Sequence, residues 1–88
     1  MPTKVKEFND YRQEMNDKIL ATDNKVIKRI FNLDTNAFAA GHLSVKTKEL
    51  LGLVASTVLR CDDCVKYHLE SSMENGVTKE EMLETMAI

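Results

Sequence analysis

Apolar residues recur along this chain at spacings of three and four positions, and no segment alternates with period two. Those spacings place side chains on one face of a helix. Glycine and proline, which interrupt helices, number only 3 and 1 among 88 residues. The pattern therefore predicts an all-α fold, a small bundle of about five helices.

Two helices are expected in the first third of the chain. The first runs from residue 3 to about 20, and its stripe of apolar side chains includes one arginine: Val5, Phe8, Arg12, Met15 and Ile19. A cap at Thr22 or Asp23 begins the second helix, which should end near Asn32. Its apolar positions are Val26, Ile27, Ile30 and Phe31.

A turn is expected after the second helix. Three consecutive residues, Asp34, Thr35 and Asn36, have side chains that favour turns and caps. A short apolar run, Ala37–Ala40, follows them, and Gly41 is suited to close it as the residue after a helix end.

The third helix is predicted to be the most buried. Ser44 is its N-cap candidate, and the helix runs from Val45 to Arg60. Few of its residues are expected to face solvent and so leave positions for water. Gly52 lies inside it and costs about 1 kcal/mol relative to alanine. A glycine at that place indicates close packing of another helix.

Two further helices complete the pattern. The segment from Cys61 to Cys64 interrupts the apolar spacing, and a fourth helix is expected from about Asp62 to Asn75. Gly76 stops it. Thr78 then begins a capping box with Glu81. The fifth helix carries the apolar residues Met82, Leu83 and Met86 and continues to Ile88.

Length and composition limit how such a chain is stabilised. Residues 1–88 are expected to form a single domain, which buries only about 60% of the surface of its unfolded chain. A core of this size is marginal without disulfides, metal or association. Two cysteines are too few to stabilise the fold through disulfides, so we expect homo-oligomerisation to complete the core.

Charge and hydropathy exclude two classes of partner. Residues 1–44 carry a net charge of +1 and residues 45–88 a net charge of −3, with no basic stripe for nucleic acid. The longest stretch without charge, Leu50 to Leu59, is too short to span a membrane, and the N-terminus is polar. We therefore expect neither nucleic-acid nor membrane binding, and a cytoplasmic location.

The sharpest chemical feature is a C-x-x-C-x-x-x-H constellation. Cys61, Cys64 and His68 fall on one face of a helix that begins near Cys61. The positive end of a helix dipole favours a thiolate, and His68, one turn after Cys64, can accept or donate its proton. Glu49 could join a proton relay if it faces the cysteines, which periodicity does not decide across the break.

Simpler interpretations of the same residues remain open. The cysteines could be structural thiols, or they could bind zinc together with His68 and His42, although that set has no standard spacing. His68 could be a solvated helix histidine, and Glu49 a solvated acid in a first helical turn. The expected site has no metal and no cofactor.

Residues from Lys46 to Ile88 resemble the alkylhydroperoxidase D-like (AhpD-like) branch of the carboxymuconolactone decarboxylase superfamily. The shared pattern is K-T-K-E-L-L-G-L-V-A, then C-D-D-C-V-K-Y-H-L-E, then E-N-G-V-T-K-E-E-M. The best match covers residues 44–88. Specificity comes from Glu49 with Cys61, Cys64 and His68 at offsets of 12, 15 and 19, taken together with the Gly-Val-Thr turn.

This resemblance implies an all-helical homo-oligomer, a trimer or hexamer, that reduces hydroperoxides or disulfides. It implies that Cys64 is the attacking thiol and Cys61 its resolving partner, with Glu49 and His68 as the proton relay. Some relatives carry a second histidine immediately before the second cysteine, where this chain has Asp63.

Three functions follow as hypotheses. The first is a thiol oxidoreductase that acts on a small hydroperoxide or disulfide and is regenerated by an external dithiol, such as a lipoylated or thioredoxin-like protein. The second is a non-catalytic oligomeric helical domain or redox sensor. The third, a lactone decarboxylase, is disfavoured because that branch lacks the cysteine pair and no cluster of basic residues is evident.

Overall fold

A computed structural model describes residues 3–88, with Thr3 described by its backbone alone. Over this range the chain forms five helices and no strand: α1 Thr3–Ala21, α2 Lys25–Phe38, α3 Val45–Val58, α4 Asp62–Glu74 and α5 Lys79–Met86. The predicted all-α fold of five helices is confirmed. None of these helices is both long enough and apolar enough to cross a membrane.

The chain divides into two compact units, Met1–Ala39 with α1 and α2, and Ala40–Ile88 with α3 to α5. The single domain over residues 1–88 stays a prediction. In the first unit, the stripe expected on α1 is confirmed, since Val5 is buried and the other four positions are partly buried.

The junction between α1 and α2 corrects the predicted cap. Thr22 lies in the turn directly after α1, where its hydroxyl donates to the Ile19 carbonyl at 2.6 Å. Asp23 adopts a left-handed backbone with φ 59°. Asn24 caps α2 instead, because its side-chain oxygen accepts from the amides of Val26 and Ile27 at 3.0 and 3.1 Å.

Helix α2 continues past the predicted end near Asn32 to Phe38, so the expected turn at residues 34–36 and a separate run Ala37–Ala40 are wrong. The hydroxyl of Thr35 donates to the Phe31 carbonyl at 3.0 Å, which keeps this turn-forming side chain inside the helix. Ala39 is the C-cap, and Gly41 does not take the left-handed backbone expected of it.

In the second unit α3 packs against α4 and α5. Ser44 caps α3 as predicted, with its hydroxyl accepting from the Thr47 amide at 3.1 Å. The buried face of α3 consists of Glu49, Leu53 and Ser56. The expectation that α3 leaves few positions for water is wrong, because three large apolar side chains on it or at its C-cap are exposed: Leu51, Val58 and Leu59.

Helices α4 and α5 begin where predicted, but α4 ends at Glu74 and α5 at Met86, before the predicted ends at Asn75 and Ile88. Gly76 ends the α4 segment with φ 82°, a backbone conformation that suits glycine. Thr78 and Glu81 form the predicted capping box, with hydrogen bonds of 2.9 and 3.1 Å. The Lys46 ammonium lies 2.8 Å from the Glu81 carboxylate and so ties α3 to α5.

Candidate active site

The two cysteines lie where α3 gives way to α4. Arg60 takes a left-handed backbone with φ 57°, which turns the chain, and Cys61 becomes the N-cap of α4. The Cys61 sulfur accepts from the Cys64 amide at 3.3 Å. The pair forms a disulfide with a Cα–Cα distance of 5.2 Å. Both sulfurs therefore lie at the positive end of the α4 dipole.

Glu49 faces α4, which the sequence could not decide. Its carboxylate oxygen Oε1 lies 2.8 Å from Nδ1 of His68, across the contact between α3 and α4. Only 6% of the Glu49 side chain and 12% of the His68 side chain are exposed. This pairing joins residues 19 positions apart in the sequence, so it is a tertiary contact between α3 and α4.

The paired carboxylate also sets what the imidazole can do. In the neutral imidazole tautomer that donates from Nδ1 to this carboxylate, Nε2 is the nitrogen with the lone pair. His68 lies one helical turn after Cys64 on α4. A histidine oriented in this way can take a proton at Nε2 and return it, which is the chemistry of a general base and acid.

The imidazole of His68 packs directly against Gly52 of α3. A Cβ atom at this position would lie 2.6 Å from Cε1, 2.8 Å from Nδ1 and 2.9 Å from Nε2 of His68. The close packing predicted at Gly52 is thus a contact with a site residue, which periodicity alone did not reveal. The Tyr67 ring lies edge-on to the same imidazole, with ring centroids 5.1 Å apart.

The polar surroundings of the cysteines are acidic. Asp62 and Asp63 occupy the first turn of α4 and are exposed, as is Cys64. Lys66 lies 4.0 Å from Asp63. These carboxylates oppose the helix dipole in its effect on a thiolate, because like charges repel.

Metal binding finds no support in the described part of the chain. Residues 3–88 contain no group of three or more histidine, cysteine, aspartate or glutamate side chains placed to hold an ion. His42 in particular is not grouped with Cys61, Cys64 and His68, as the zinc alternative required.

Comparisons with known proteins identify the family and the fold. A sequence model described as the carboxymuconolactone decarboxylase family matches residues 24–88. A crystal structure of a Thermotoga maritima protein is similar over 93% of this chain and 72% of its own, with 50% identity and a TM-score of 0.87. A second Thermotoga maritima structure is similar over 92% of this chain and 68% of its own, with 48% identity and a TM-score of 0.84.

That second structure is described as a carboxymuconolactone decarboxylase family protein with a possible involvement in antioxidative response. Among curated proteins, an uncharacterized protein of Cupriavidus necator is 33% identical over 48 residues. The match takes in 54% of this chain and spans only 42% of that relative's length.

Proposed function

This chain belongs to the carboxymuconolactone decarboxylase family, and we propose that it is a thiol-dependent oxidoreductase that reduces a small hydroperoxide or a disulfide through Cys61 and Cys64. The observation that carries the proposal is the buried hydrogen bond between Glu49 and His68, one turn from Cys64. Burying a carboxylate and an imidazole costs free energy, so a pair of this kind beside a cysteine pair suits proton transfer.

In the first step the Cys64 thiolate attacks the terminal peroxide oxygen. The O–O bond breaks, Cys64 becomes a sulfenic acid, and the alkoxide leaves as an alcohol after taking a proton from His68. Glu49 stabilises the protonated imidazole before this transfer. The peroxide is thereby reduced by two electrons, and the sulfur is oxidised by two.

In the second step Cys61 attacks the Cys64 sulfur. The sulfenic oxygen leaves as water, with a proton relayed through His68, and the Cys61–Cys64 disulfide forms. The Cα–Cα distance of 5.2 Å lets this bond close within one turn of helix. An external dithiol, from a lipoylated or thioredoxin-like protein, then reduces the disulfide and becomes a disulfide itself.

The cellular setting that suits this chemistry is a reducing one. In the cytoplasm a cysteine pair with an exposed member such as Cys64 is kept reduced unless a substrate oxidises it, so we propose a cytoplasmic location. We also propose that it acts as a homo-oligomer, a trimer or hexamer, because few large apolar residues of the described chain are buried.

The proposal is tested by hydroperoxide consumption in the presence of excess dithiol. Wild-type protein should sustain consumption, and Cys64→Ser should abolish it. With the dithiol omitted, Cys61→Ser should consume one equivalent of hydroperoxide and leave a sulfenic acid on Cys64, which a sulfenic-acid reagent and mass spectrometry detect. Equal rates for wild type and Cys64→Ser would refute the proposal.

A second candidate function is a redox sensor without catalytic turnover. It is favoured by the exposed carboxylates of Asp62 and Asp63, which work against thiolate formation next to Cys64. A sensor should form one Cys61–Cys64 disulfide per chain after mild peroxide treatment and consume no further oxidant. Mass spectrometry combined with a peroxide assay separates it from the enzyme.

A further inference from the structure

The α4 segment ends in a Schellman motif, a turn closed by two backbone hydrogen bonds. The amide of Gly76 donates to the Met73 carbonyl at 3.1 Å, and the amide of Val77 donates to the Ser72 carbonyl at 3.0 Å. Gly76 is the residue that turns the chain, with φ 82°. Glycine adopts this left-handed backbone without strain because it has no Cβ atom.

Helix α3 ends in the same motif with a different turning residue. The amide of Arg60 donates to the Thr57 carbonyl at 3.1 Å, and the amide of Cys61 donates to the Ser56 carbonyl at 3.0 Å. Arg60 therefore occupies the position that Gly76 has after α4, and its φ is 57°. One chain thus makes the same turn once with glycine and once with arginine.

Arginine is the unusual residue for such a turn. Residues other than glycine rarely adopt a left-handed backbone, and those that do are mostly asparagine and aspartate. Strained backbone positions of this kind cluster at functional sites. Arg60 directly precedes Cys61, whereas Gly76 lies at the opposite end of α4. The strained turn is therefore the one that adjoins the cysteine pair, which indicates a use for the arginine side chain there.

The charges in the first turn of α4 suggest what that use is. Asp62 and Asp63 are exposed there, and their carboxylates repel a thiolate. The ammonium of Lys66 lies 4.0 Å from Asp63, which takes up part of its charge. The exposed guanidinium of Arg60 forms no ion pair within the described part of the chain. Its positive charge is therefore available to the cysteines.

The contact between α3 and α4 does not supply that charge. His68 lies one turn after Cys64, but its Nδ1 is bonded to the buried carboxylate of Glu49 at 2.8 Å. A protonated imidazole and an ionised carboxylate together carry no net charge. This pair can move a proton, yet it does not offset the two aspartates.

We propose that Arg60 favours the thiolate form of the Cys61–Cys64 pair by offsetting the charges of Asp62 and Asp63. A neighbouring arginine stabilises a cysteine thiolate, and its guanidinium stays charged at every pH at which thiols titrate. The two sulfurs are close enough to form a disulfide, so the charge acts on whichever sulfur is ionised. The inference rests on the proposed function, in which the thiolate attacks the substrate, but it concerns a property that is measured without any hydroperoxide.

The test is the rate at which iodoacetamide alkylates the reduced full-length chain, followed over pH. In Arg60→Gln the pH of half-maximal alkylation should rise by about 0.5–1, a loss of about three- to tenfold in thiolate at neutral pH. Arg60→Lys keeps the charge and should restore the wild-type profile. The control Lys79→Gln removes a charge at the start of α5 and should change nothing. The effect of Arg60→Gln should shrink in about 1 M salt, because salt screens exposed charges.

The Arg60→Gly variant separates the backbone from the side chain. Glycine suits the left-handed turn, so the urea midpoint of unfolding should rise, while half-maximal alkylation should move to higher pH as in Arg60→Gln. A lower urea midpoint would assign Arg60 a structural role and overturn the proposal. An unchanged alkylation profile in both variants, or the same change in Arg60→Lys, would also overturn it. Neither measurement uses peroxide, so these results are independent of whether the protein turns over hydroperoxide.

Discussion

Replacing Gly52 with alanine should displace His68 and weaken its bond to Glu49. The new Cβ would lie 2.6 Å from Cε1, and ordinary contacts begin at 3.4 Å, so the ring must move by about 0.8 Å. Gly52 and Glu49 share one face of α3, and a ring that moves away from one moves away from the other. The 2.8 Å hydrogen bond would then lengthen beyond the usual limit of about 3.2 Å.

The expected change in the free energy of unfolding follows from two opposing effects. Weakening a hydrogen bond to a buried charged group costs about 1–3 kcal/mol. Alanine in place of glycine inside a helix contributes about 1 kcal/mol in the other direction. The free energy of unfolding should therefore fall by about 0–2 kcal/mol in the Gly52→Ala variant, and hydroperoxide turnover should fall at least tenfold because the general base is misplaced.

A double-mutant cycle in urea isolates the contact. In a His68→Ala background no ring remains to collide with, so Gly52→Ala should stabilise the protein by about 1 kcal/mol. The two positions should thus be coupled by about 1–3 kcal/mol. The reasoning is wrong if Gly52→Ala stabilises both backgrounds equally. Nitrogen-15 NMR of the imidazole should also show a changed Nδ1 environment in the single variant.

Three further predictions concern the carboxylates and the α5 cap. Glu49→Gln keeps the side-chain shape but removes the charge, and it should slow hydroperoxide turnover by about 10²-fold or more, whereas Glu74→Gln at the exposed end of α4 should not. Hydrogen bonds from Lys46 and the Thr78 backbone lower the pKa of Glu81. Its stabilisation is therefore complete above the ordinary carboxyl range and is lost as pH falls through the lowered value, so the difference in unfolding midpoint between wild type and Glu81→Gln should shrink to zero in acid. Thr78→Ala removes one half of the capping box and should cost about 1 kcal/mol in urea unfolding, and a cost below the measurement error would rule out the cap as a stabilising element.

Caps and breaks explain why the second half of the chain was predictable. Ser44 and Thr78 have side chains that accept from the backbone three residues later, and Gly76 supplies the left-handed residue that ends the α4 segment. Each of these signals is local. The starts of α3 and α5 and the end of the α4 segment therefore follow from nearby residues alone, whereas α3 and α5 end two residues before the predicted Arg60 and Ile88.

The errors on α2 have a local cause as well. The side chain of Thr35 favours turns, but its hydroxyl donates to a backbone carbonyl inside the helix. Asn24 rather than Thr22 or Asp23 caps α2, since three adjacent residues can all cap and only the path of the chain selects one. Residue propensities alone do not decide which of three adjacent residues caps a helix.

The site was predictable only in part. The spacing of Cys61, Cys64 and His68 on one helix follows from the sequence, because they lie within two turns. Two contacts of the His68 imidazole could not be predicted: its hydrogen bond to Glu49 and its packing against Gly52. Both depend on how α3 and α4 are rotated about their axes where they pack together. That rotation is set by packing across the turn at Arg60, which periodicity does not report.

The most direct measurement is the number of hydroperoxide equivalents that each chain consumes in excess dithiol. A catalytic Cys61–Cys64 pair should consume many equivalents, and Cys64→Ser should consume none. One equivalent per chain, with the disulfide formed and no further reaction, would show a sensor in place of an enzyme. The same count for wild type and Cys64→Ser would show that the pair takes no part in the reaction.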